Sequence, residues 1–163
     1  MKQILKKKSV LGVFSGFLIG ASLTIVVLFQ AVPSVMILED QSRYGFEETT
    51  KAFQKEVESA GWSVVGYQNM QDVLKGHGHD VLEIKIYELC SAKYSALILA
   101  EDNERIVSPL MPCRVSIYKK SDGNTYITRL NSLLMAKPFG GLINQVMQEA
   151  GSQVEDIISK IIK

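Results

Sequence analysis

The sequence predicts an α+β domain, an antiparallel sheet packed against helices, preceded by one transmembrane helix. Three features predict it. No charged side chain occurs from Ser9 through Leu38, Asp122-Gly123 stands between two strand-like runs, and a long helical stripe lies at each end of the domain. With 163 residues, 47% of them apolar, the chain can bury one core and still carry an appendage.

The first segment reads as a basic tail over residues 1–8, an anchor over 9–32 and a domain over 33–163. Val10 to Phe29, as a helix, is long enough to cross a hydrocarbon core of about 30 Å. A helix is also the one single-pass form that satisfies its own backbone in lipid. Lys2, Lys6, Lys7 and Lys8 precede the span and the first acid is Glu39. That asymmetry orients the N-terminus to the cytoplasm and the domain to the periplasmic or extracellular side. The competing reading is a cleaved signal peptide, with Gly20-Ala21-Ser22 as the processing triplet. The apolar run continues from Leu23 to Gln30, past the point where such a segment ends, and this favours the uncleaved anchor. No cysteine lies in or just after the run, which excludes lipoprotein processing. Gly12, Gly16 and Gly20 share one helix face at four-residue spacing, so two such helices could pack closely as a homodimer. Pro33 is expected to end the helix.

The domain then reads in order. Val35 to Glu39 is a short strand. Phe46, Thr49, Thr50, Phe53, Val57 and Ala60 recur at helical spacing, with Glu47 and Glu48 near the start and Gly61 at the end. Trp62 to Tyr67 is a strand, and Asn69 caps a helical turn through Leu74. Gly76 and Gly78 mark a loop. From Val81 to Tyr87, Leu82, Ile84 and Ile86 alternate with Glu83 and Lys85, which predicts a strand with the apolar three inward. A short helix spans Ser91 to Leu99, and Glu101 to Arg105 is a polar connection. Cys113 to Lys120 and Thr125 to Leu130 pair as a hairpin about Asp122-Gly123. The last helix carries Phe139, Leu142, Ile143, Val146, Met147, Ala150, Val154, Ile157, Ile158 and Ile161 on one stripe, with Gly151 as a place to bend.

The charge balance excludes one class of partner. Without the four N-terminal lysines, 14 basic side chains face 17 acids. A mildly acidic domain has no basic stripe for nucleic acid. The sequence also lacks a phosphate-binding glycine loop, a Gly-x-Ser-x-Gly elbow and a Cys-x-x-Cys pair.

The Phe46-Glu-Glu-Thr49 helix start, Gly61-Trp62, Cys90 before a short helix, Leu110-Met-Pro-Cys-Arg-Val115 and the Asp122-Gly123 turn form a combined pattern. In it the chain resembles the domain of unknown function 302 family, from about Val35 to the C-terminal helix, and Pro112-Cys113-Arg114-Val115 is the most specific part. The resemblance implies a curved antiparallel sheet backed by helices, in β-α-β-β-β-β-α order, and a tendency to dimerise. It implies no activity. Both cysteines fit the family pattern, whereas the histidines and the anchor belong to this chain or its subgroup.

The unusual inventory is Cys90, Cys113, His77 and His79, with Arg114 beside Cys113 to attract an anion or lower the thiol pKa. Strand parity places Cys90 with Ile84 and Ile86, and Cys113 with Val115 and Ile117, so both thiols are expected to face the core and lie close together. By the same count His77 and His79 fall on the other face, against a site made of all four. Plain burial or a disulfide is favoured over a soft-metal or redox site. The leading function class is a ligand- or metal-binding module, with a soft metal ion as the candidate cofactor. Next comes an interaction protein that dimerises or docks onto another envelope component. A thiol-dependent enzyme comes third.

Overall fold

A computed structural model of the chain describes residue 16 and residues 20–27, 29, 30 and 32–163. Two compact units result, divided between Val35 and Met36. Residues 32–36 are helical, so Pro33 does not end the helix as expected. A proline can keep a helical φ, although it lacks the N–H donor and its ring crowds the carbonyl four residues earlier. Several residues of the expected anchor, Gly12 among them, lie outside those described. Among the described residues no helix is long and apolar enough to cross a membrane.

The second unit is α+β. Its strands are β1 (Ile37–Gln41), β2 (Ser63–Asn69), β3 (Ile84–Cys90), β4 (Cys113–Lys119) and β5 (Thr125–Leu130), in spatial order β1-β5-β4-β3-β2 and antiparallel throughout. The helices are α1 (Phe46–Ser59), α2 (Met70–Gly76), α3 (Ala92–Leu99), α4 (Ser132–Met135) and α5 (Gly141–Ser159), with 3-10 turns at Glu104–Leu110 and Lys137–Phe139.

Each boundary has a local cause. Gly61 takes a left-handed φ of 75° after α1, a conformation that costs other residues strain. The Asn69 side chain accepts from the Asp72 N–H and caps α2. At the β4–β5 hairpin Gly123 has φ 81°, and Lys120 and Asn124 close the turn through a 3.0 Å backbone bond.

One face of the sheet makes the core. Tyr87, Leu89, Val115, Ile117 and Ile127 pack against Phe53 and Val57 of α1, Tyr94 and Ile98 of α3, and Val146, Val154, Ile157 and Ile158 of α5. The strand Val81 to Tyr87 therefore needs correcting. It begins at Ile84, and its inward residues are Tyr87 and Leu89 rather than Leu82, Ile84 and Ile86. The reason is that β3 is apolar on both faces. Ile84 and Ile86 line a groove of about 360 Å³ against Met70 and Leu74 of α2, on the sheet's other side. Lys85 shares the core parity but reaches the rim, where its Nζ meets Glu47 at 2.8 Å and lies over the Phe46 ring. Phe139 is half exposed and stands in the 3-10 turn, outside the α5 stripe. Gly151 serves a close approach: a Cβ there would lie 2.5 Å from Ser132 Oγ.

Candidate functional site

The chain enters β4 along Leu110-Met111-Pro112-Cys113, beneath α3 and beside α5. Two cavities open there. One of about 60 Å³ runs under Trp62, Tyr94 and Ile98. The other, about 260 Å³, runs toward Arg114, Arg129, Leu130, Met135 and Val154. Leu110, Met111, Pro112, Cys113, Ser132 and Met147 line both. Cys113 therefore stands where the two spaces adjoin.

Cys113 pairs with Leu89 across the β3–β4 ladder, which sends its side chain to the core face as expected. Burial pushes its thiol pKa up, and the neighbouring Cys90 adds to the rise. Arg114 does not lower it: its side chain is 66% exposed and its guanidinium is engaged by Glu88 at 2.7 and 3.0 Å. Cys90 follows the residue opposite Cys113, so the two are neighbours on adjacent strands, and both are free thiols. The Cys90 Sγ lies 3.2 Å from Ser95 Oγ on α3. Its strand parity matches Ile84 and Ile86, which do not carry the core, so the expectation that parity turns Cys90 inward rested on the wrong face.

The histidines stand apart from this cleft. His77 is the C-cap of α2 and His79 follows in the turn, both exposed and on the α2 side of the sheet. Among the described residues no group of three or more His, Cys, Asp or Glu side chains is placed to hold a metal. The four-residue set of Cys90, Cys113, His77 and His79 is not assembled.

Residues outside the expected set complete the cleft. Arg129, buried on β5, donates from Nε and Nη2 to Glu155 of α5 and from Nη1 to Asp40 of β1. Burial works against its charge, and the bonds to the two acids outweigh that effect, so its pKa lies above the usual arginine value. Met111, Met135 and Met147 supply much of the apolar wall. Met111-Pro-Cys113 is visible as a sequence cluster, but nothing in the sequence ties Met135 or Met147 to it.

The fold and the cleft define a two-layer α+β domain with a thiol at the junction of two apolar cavities. The chain belongs to the family described as domain of unknown function DUF302, which it matches over residues 38–163. Among solved structures it is similar to an uncharacterized conserved DUF302 protein from Bacillus stearothermophilus. The TM-score is 0.69 at 16% identity, covering 78% of this chain and 98% of that one. At that identity the likeness shows the fold alone. No curated protein matches the chain.

Proposed function

We propose that this chain is a membrane-anchored binding module whose domain, on the non-cytoplasmic side, takes a small ligand into the cleft at Cys113. The observation that carries the reading is the 260 Å³ cavity between sheet and α5, apolar over most of its lining residues and reaching a half-buried thiol. Binding is favoured over thiol catalysis because a raised pKa keeps Cys113 protonated near neutral pH, and neither histidine is beside it. The anchor is supported by the lysines before the apolar run and by the exposed Leu23, Val27 and Phe29 on the described part of its helix. Self-association through the glycine face is supported by Gly16 and Gly20, where an added Cβ would meet nothing within 4 Å.

The cleft is tested in Cys90→Ser protein, where Cys113 is the sole thiol. Its alkylation by N-ethylmaleimide is timed with and without the apolar fluorophore N-phenyl-1-naphthylamine. The dye should brighten on binding and slow the alkylation of Cys113. Dye that does not bind, or that binds without protecting Cys113, overturns the reading.

A further inference from the structure

Three of the chain's six methionines and one of its two cysteines line the same cavity. Met111 and Cys113 lie at the entry to β4, Met135 ends α4, and Met147 sits in the second turn of α5. Three separate parts of the chain thus bring sulfur-bearing residues to one space. Met111, Cys113 and Met147 also line the adjoining cavity, so they surround the junction. We propose that this junction binds one soft monovalent cation, Cu(I) or its congener Ag(I), through the Cys113 thiolate and the thioethers of Met111, Met135 and Met147. The inference rests on the ligand-cleft reading and names the ligand's class.

Ligand chemistry selects the ion. Thiolate and thioether donors prefer Cu(I) over hard cations, which want oxygen, and no carboxylate is among the residues lining the cavity. Charge selects it again. A thiolate with a monovalent cation is neutral, so the bound site suits an apolar cleft, whereas a divalent ion would leave a net positive charge to bury. The two arginines at the cavity wall do not oppose a cation with free charge: Arg129 is paired with Asp40 and Glu155, and Arg114 with Glu88. On binding, the Cys113 S–H bond breaks, an S–metal bond forms and one proton leaves to solvent. No oxidation state changes. The competing use of the same residues is as adaptable apolar filling around an uncharged organic ligand.

The test uses reduced full-length protein in detergent micelles, titrated without oxygen with Cu(I) in competition with bathocuproine disulfonate. The expected result is one Cu(I) per chain, one proton released, and a sulfur-only first shell by copper absorption spectroscopy. Cys113→Ser and the combined Met111→Leu, Met135→Leu and Met147→Leu variant should each lose more than the roughly 10–100-fold that an outer-shell partner is worth. Leucine conserves the volume, and circular dichroism checks that the fold is kept. Met70→Leu and Cys90→Ser should leave the affinity unchanged. Binding that survives the methionine replacements, that follows Cys90, or that shows nitrogen ligands overturns the proposal. So does the absence of bound copper. In that case the dye-protection experiment separates the two ideas: protection of Cys113 leaves an organic-ligand cleft standing, and its absence removes both.

Discussion

Tyr87 sits on β3 with the rings of Phe53 and Tyr67 each 5.3 Å away, and is 1% exposed. Burial, and then the neighbouring Tyr67, push its pKa from 10.0 up to about 12. Below the unfolded value both states keep the proton and stability is at its full level. Between that value and about 12 the unfolded chain ionises first and binds fewer protons, so stability falls as pH rises. The loss should reach on the order of 2–3 kcal/mol. Urea unfolding at pH 9 and again near pH 12 should show a steeper decline in the wild type than in Tyr87→Phe. Equal declines would mean that Tyr87 ionises like an exposed tyrosine. At this scale the sequence was legible where one face alone is apolar. Val115 and Ile117 point to the core as their alternation predicts, and carry Cys113 with them. It misled at Ile84 and Ile86, because β3 is apolar on both faces and alternation does not say which face meets α1, α3 and α5 and which meets α2.

The helix α5 and the short α4 meet at Gly151. A Cβ at this position would come within 2.5 Å of Ser132 Oγ and 3.0 Å of Leu133 Cδ2. In an open helix, alanine in place of glycine stabilises by roughly 0.5–1 kcal/mol. Here Gly151→Ala should lose that gain and destabilise by up to about 1 kcal/mol, because the Ser132 and Leu133 side chains must move aside. Part of that cost should vanish in Ser132→Ala, and a double-mutant cycle by thermal unfolding measures the coupling. Zero coupling would place the strain elsewhere. Sequence reading placed all five strands and the helices α1, α2, α3 and α5, with the long periodicity of α1 and α5 and the punctuation of the Asp122-Gly123 hairpin as its strongest signals. It missed α4, and it took the first residues of the Glu104–Leu110 turn for a polar connection. One turn of helix gives no period to detect, and a 3-10 run containing Pro109 repeats at neither 2.0 nor 3.6 residues. The cleft draws on both kinds of element: Pro109, Leu110, Ser132 and Met135 come from these missed pieces, and the rest mainly from β4, β5 and α5. Hence Met111, Cys113 and Met147 each stood in a recognised segment while Met135 did not, and what the sequence hid is that the four meet at one cavity.

For the whole molecule, family membership was legible because its pattern is distributed along the domain, from Phe46 to the hairpin, and does not depend on any one element. The proposed topology makes its own prediction. A reporter that works only outside the cytoplasm, joined after Lys163, should be active, and the protein should resist carbonate extraction. A soluble form beginning near Leu23 or Pro33 would defeat the anchor. The C-terminus itself is tied into the sheet's edge: Ser42 bridges Ile162, Arg43 N–H donates to the Ile161 carbonyl, and Lys163 N–H donates to that of Gln41. The domain's last residue thus lies beside the end of its first strand, although 122 positions separate Gln41 from Lys163. Tension applied between Met36 and Lys163 would run along β1, roughly 17 Å at about 3.3 Å per residue, and cross directly to the tail. Stretching across those two points should therefore strain the Arg43–Ile161 and Lys163–Gln41 backbone bonds first, ahead of the buried face of α5.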